Sequence, residues 1–232
     1  MLALVLSLTF KTWLRYFVPL TLIAAVTMIV FVLTGLRAHL PNDVVQARSE
    51  MHLGWELAAT AWIFQLALVG AVAPAVRGVA LDAPLSQTSA LVAGIRGLVR
   101  AALPVGLALG AIVLGSIALV VPGLLLLGLF ALTGASEQLG EPLPAPLLDS
   151  VAVVRTHAKQ VALVLAITIG VALAIALVAH VAILPALPKK MPVAQLAPAR
   201  TFVRVIAFAL VALSALPACA LAALYGAKRQ TA

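Results

Sequence analysis

Apolar stretches at about 17–36, 53–76, 98–120, 123–138, 161–184 and 202–225 alternate with short polar ones along the chain. A helix needs about 20 apolar residues to cross the roughly 30 Å hydrocarbon core of a bilayer, so the pattern predicts six membrane spans. The third and fourth stretches run together. The uncharged run 101–136 is too long for one crossing and is predicted to fold back as a hairpin. Its turn is expected at Val121-Pro122-Gly123, with 110–115 as the alternative; periodicity does not choose between them. Pro19 falls in the first turn of the first stretch, where a missing N–H is harmless, and Pro185 and Pro188 end the fifth.

Before the first, third and fifth stretches the period becomes amphipathic. Leu2, Val5, Leu6, Leu8, Trp13 and Phe17 are apolar, while Ser7, Lys11 and Arg15 follow one polar edge. From Pro84, suited to a first helical position, Leu85, Leu91, Val92, Ile95 and Leu98 share a face. Leu147, Leu148, Val151 and Val154 lie opposite Asp149, Arg155 and Lys159. Each segment carries two cations four residues apart, on one helix face: Lys11 and Arg15, Arg96 and Arg100, Arg155 and Lys159. The predicted fold is therefore an all-α integral membrane protein over 1–232, a single domain. Its six spans form three hairpins, each preceded by a cytoplasmic amphipathic helix.

Composition agrees with this. With 64% hydrophobic and 9% charged residues, a chain of 232 residues has too much apolar surface for a soluble core of its size. The net charge of +8 would suggest nucleic acid in a soluble protein, but the cations flank apolar runs, so no nucleic-acid partner is expected. An inside N-terminus puts Lys11, Arg15, Arg77, Arg96, Arg100, Arg155, Lys159, Lys228 and Arg229 in the cytoplasm. The far side then holds Arg37, Arg48, Lys189, Lys190, Arg200 and Arg204. That bias favours both termini inside. The first apolar residues have no basic region ahead of them, the reverse of a secretory signal, and are expected to stay in the mature chain. The lone Cys219 excludes an intrachain disulfide.

The PGLLLLGLFAL run, an acidic residue soon after it (Glu137 or Glu141), a proline-containing loop and a serine-bearing helix (Ser150) form one sequence of features. It resembles the membrane domain attached to some bacterial glycerophosphodiester phosphodiesterases, and YciC-like inner-membrane proteins, over roughly 80–176. Members commonly place a large aromatic after the serine, whereas Val151 stands here. The resemblance implies a six-span module of a bacterial inner membrane and no catalytic residues.

Candidate chemistry is sparse. His52 and Glu56, four apart, could share a metal-ligand face, but no HExxH or cysteine cluster accompanies them, and the plain reading is an interfacial loop. No serine stands in a nucleophile elbow, and no phosphate loop or cofactor motif is present, so neither catalysis nor a cofactor is expected. Ionisable residues are missing from the middles of the spans, which disfavours an ion-coupled transporter. Gly106 and Gly110, with Pro122 and Gly123, are the predicted points of close helix packing. The expected function is a non-enzymatic membrane subunit or scaffold that packs with lipids and partner membrane proteins. Its three basic pairs would engage lipid phosphates or an acidic partner. A lipid-handling permease or flippase-like protein, with a groove beside Gly106, is the alternative.

Overall fold

The computed structural model describes residues 2–27, 66–136, 139, 141–178, 211 and 213–230. Every regular element among them is helical. They are α1 (Leu2–Arg15), α2 (Phe17–Thr27), α3 (Leu66–Ala80), α4 (Gln87–Ala118), α5 (Val120–Phe130), a 3-10 turn (Thr133–Ala135), α6 (Ala145–Val178) and α7 (Ala215–Gln230). Two stretches, Gln87–Ile117 in α4 and Ala145–Ile167 in α6, are long and apolar enough to cross a membrane. Phe17–Val26, Leu68–Ala80, Val121–Ala135 and Ala215–Gly226 are apolar but shorter. The predicted spans 17–36, 53–76, 161–184 and 202–225 all continue into residues outside the described ones.

The three amphipathic segments join their spans in three different ways. α1 and α2 are separate helices, parted at Tyr16. The segment expected from Pro84 starts later, at Gln87, capped by Ser86, whose Oγ accepts from the Ser89 N–H at 3.1 Å. It then runs without a break into the third apolar stretch as one helix of 32 residues, about 48 Å long. No strong breaker lies between Gln87 and Leu103, and a single proline, Pro104, costs less than exposing a broken backbone in an apolar setting. The third segment and the fifth stretch form α6, whose helical backbone is interrupted at His157 (φ −121°, ψ 30°), between Arg155 and Lys159.

The hairpin turn also sits earlier than predicted. Leu119 alone is extended (φ −163°, ψ 145°), and α5 begins at Val120. Pro122 then occupies the first turn of α5, where its missing N–H leaves no hydrogen bond unmade. Gly123 lets that turn lie directly on α4: a Cβ there would stand 2.9 Å from Ser116 Cα and closer still to Ser116 Oγ.

The core is one connected cluster in which Leu20 and Ile23 of α2, Val69 and Val72 of α3, Leu132, Val153 of α6 and Cys219 of α7 are all buried. Its tightest point is a backbone crossing of α3 on α4. A Cβ on Gly70 would lie 2.6 Å from Ala101 Cβ, 3.1 Å from the Gly134 carbonyl oxygen and 3.3 Å from that of Gly97. Gly94 and Gly97 are equally confined, by Ile23 and by the backbone of Gly70 and Ala71. The outer face of α4 is the reverse, with Val99, Leu103, Leu114 and Ile117 between 64% and 77% exposed. A continuous row of large apolar side chains left uncovered in this way suits lipid, not water.

Candidate functional site

α1 has three faces. Val5, Thr9, Thr12 and Tyr16 are buried against the rest of the protein. Leu6, Phe10 and Phe17 of the next helix point outward, with Trp13 edge-on to Phe17 at 5.2 Å between ring centroids. The inward face thus carries two threonines beside Val5 and Tyr16, while Leu6 and Phe10 are left exposed.

The third face lines a cavity. Leu4, Ser7, Leu8, Lys11 and Arg15 form one wall of an open pocket of about 650 Å³ that is also lined by Val79, Ala80, Asp82 and Pro84 and, from α7, by Ala223 and Gly226. Two hydrogen bonds fasten this wall to the opposite one. The Tyr16 hydroxyl donates to the Leu85 carbonyl at 2.9 Å, and Gln87 Nε2 donates to the Arg15 carbonyl at 2.7 Å. The cations of α1 are therefore held over the α3–α4 loop by contacts that use the backbone and leave the Lys11 and Arg15 side chains out.

The loop is a helix-ending motif in which the Asp82 N–H bonds the Val79 carbonyl and the Ala83 N–H bonds the Gly78 carbonyl. This is the Schellman pattern, whose left-handed residue is usually glycine or asparagine. Here it is Asp82, at φ 52°, the one non-glycine residue with positive φ among those described. Its carboxylate also stands at the negative end of the α3 dipole. Sequence reasoning gives Asp82 no role; the signal available was an aspartate placed directly after an apolar helix end.

A second polar group ties the helices together. Asp149 Oδ2 accepts from the Ser136 and Tyr225 hydroxyls, both at 2.6 Å, and Arg77 is electrostatically coupled to Tyr225. Asp149 was expected on the solvent edge with Arg155 and Lys159. It is half-buried instead, because α7 brings Tyr225 across the start of α6. Beside it, Ser150 is fully buried; its hydroxyl donates to the Leu129 carbonyl at 2.8 Å and accepts from the Leu132 N–H at 3.2 Å. One serine thereby satisfies a carbonyl from the last turn of α5, which has no partner within that helix.

All three basic pairs are exposed, in unlike settings. Lys11 and Arg15 end α1 at the cavity, and Arg155 and Lys159 flank the interruption at His157. Arg96 and Arg100 lie in the first half of α4, about 15 and 21 Å beyond Ser86, where the amphipathic segment gives way to the third apolar stretch, among the exposed Val92, Ile95, Val99 and Leu103. Their long side chains can reach back along the helix toward water.

Gly106 and Gly110, the expected packing pair, meet no other described helix. Both are exposed with no described residue within 4 Å of a Cβ, because α4 turns its Gly94–Gly97–Ala101 side to α3. Gly123 does pack closely, as above. His52 and Glu56 lie outside the described residues. Comparison of the chain with protein-family models, with curated proteins and with solved structures yields no significant match in any of the three.

Proposed function

We propose that this chain is a non-enzymatic integral membrane subunit or scaffold, with six spans as three hairpins in a bacterial inner membrane and both termini cytoplasmic. Its basic pairs contact lipid phosphates, and its apolar faces pack against lipid and partner membrane proteins. The observation that carries the reading is the exposed apolar face of α4 running past Arg96 and Arg100, a surface that combines lipid tails with cations at headgroup depth. Each such cation gains about 1 kcal/mol near an anionic leaflet. The six-span plan rests on hydropathy, and the inner-membrane location on the resemblance over 80–176.

The test is native mass spectrometry of the protein extracted from its own membranes in a mild detergent. A subunit of this kind leaves the membrane with bound phospholipid or a stoichiometric partner chain. A lipid-free, lone monomer would sink the proposal. The alternative, a lipid-handling permease, is separated by reconstitution: only that reading has labelled phospholipid changing leaflets in protein-containing vesicles.

A further inference from the structure

The cavity between α1, the end of α3 and α7 combines features that together describe one kind of ligand. Leu4, Leu8, Val79 and Ala223 make much of its wall apolar, and Lys11, Arg15 and Asp82 charge the same space. Among the described residues no ion pair joins Lys11 or Arg15 to Asp82, although all three line the one cavity. A volume of 650 Å³ is within the usual range for a bound small molecule, about 300–1,000 Å³.

Asp82 is the informative residue. Its left-handed position prefers glycine or asparagine, and its charge is opposed by the α3 dipole. The carboxylate is exposed at the rim of the cavity and paired with no described cation, so it is open to a cationic group of a ligand. Two cations in the same cavity call for an anion, and the apolar walls call for a hydrocarbon. One molecule supplying all three is a phospholipid with an amine headgroup.

We propose that this cavity binds one aminophospholipid of the phosphatidylethanolamine type. Its phosphate lies between Lys11 and Arg15, its ammonium donates to Asp82, and the first part of an acyl chain runs along Leu4 and Leu8. The proposal rests on the membrane reading above and adds the lipid class. The primary ammonium is essential to it, because a quaternary choline has no N–H to donate to Asp82, and a glycerol headgroup brings no positive charge.

The experiment uses the full-length protein in detergent, delipidated and titrated with phosphatidylethanolamine, phosphatidylglycerol or phosphatidylcholine of identical acyl chains, with one-to-one adducts counted by native mass spectrometry. Wild type should prefer the ethanolamine lipid over both others. Lys11→Gln with Arg15→Gln should weaken binding of all three lipids by about tenfold or more, the scale of one lost charge-assisted hydrogen bond. Asp82→Asn should lower ethanolamine binding alone and abolish the preference. Asparagine is at home in the left-handed turn, so this variant keeps the fold, which a thermal melt verifies. Equal binding of the three lipids by wild type, or an ethanolamine preference that survives Asp82→Asn, overturns the proposal. Alkaline carbonate extraction of membranes runs in parallel. A protein that stays in the membrane but fails the titration loses only this site, whereas one released by carbonate loses the membrane reading itself.

Discussion

Replacing Gly70 with alanine tests the helix crossing at the centre of the protein. The new Cβ would stand 2.6 Å from Ala101 Cβ, where ordinary contact begins at 3.4 Å, a shortfall of 0.8 Å. Neither Ala101 Cβ nor the carbonyl oxygens of Gly134 and Gly97 can rotate out of the way, since each is fixed to a backbone. Relief therefore requires α3 to move away from α4 and the Thr133–Ala135 turn together. Overpacking of this kind costs about 1–3 kcal/mol, and at about 2 kcal/mol the folding equilibrium would fall roughly thirtyfold. Helix propensity acts in the opposite direction, by up to about 1 kcal/mol in favour of alanine. The control is the same substitution at Gly106 and Gly110, where no described residue comes within 4 Å of the new Cβ. The assay is a thermal melt of the purified protein followed by size-exclusion chromatography. Gly70→Ala should melt several degrees below wild type, and Gly106→Ala and Gly110→Ala at or slightly above it. A Gly70→Ala protein as stable as wild type, or equal losses at Gly106 and Gly110, would refute the reasoning.

Three further outcomes are expected. Asp149→Ala leaves the Ser136 and Tyr225 hydroxyls without their acceptor and should cost about 2–3 kcal/mol. Combined with Tyr225→Phe in a double-mutant cycle, it should show a coupling of about 1 kcal/mol or more, and strict additivity in chemical unfolding would contradict the bond. Ser150→Ala should lower stability by about 1–3 kcal/mol, because a buried carbonyl and N–H both lose their partner. By contrast, Thr156→Ala removes only an exposed bond to the carbonyl four residues back and should be neutral in the same melt. Gly123→Val should destabilise the hairpin more than Gly128→Val, since Gly123 lies against Ser116 and Gly128 has open space, and limited proteolysis would report the difference.

Hydropathy made the helical class legible, and the two longest apolar helices each join a predicted amphipathic segment to part of a predicted span. The basic pairs were legible as exposed cations, because four-residue spacing fixes a common face. What spacing does not carry is continuity. The amphipathic segment holding Arg96 and Arg100 and the apolar stretch after it are one unbroken helix from Gln87, capped by Ser86. Glycine contacts were legible only in part, at Gly123, for a similar reason. Any pair four apart can form a contact, and only the crossing of α3 selects Gly94 and Gly97 over Gly106 and Gly110. The settings of Asp82 and Asp149 were missed because spacing along the chain does not encode them. Tyr225 is brought to Asp149 from another helix, and Asp82 is marked by a backbone angle.

The central claim, that the α4–α5 hairpin crosses a membrane, is tested most directly by the sidedness of single cysteines at its two ends. Cys219 is the chain's single cysteine and is buried, so Cys219→Ser gives a clean background. Ser89→Cys, in the first turn of α4, and Leu119→Cys, at the exposed turn into α5, are then labelled in intact cells with a membrane-impermeant maleimide. The account predicts labelling at position 119 before permeabilisation and at position 89 only after it. Labelling of both positions under the same condition would place both ends of α4 on one side and contradict it.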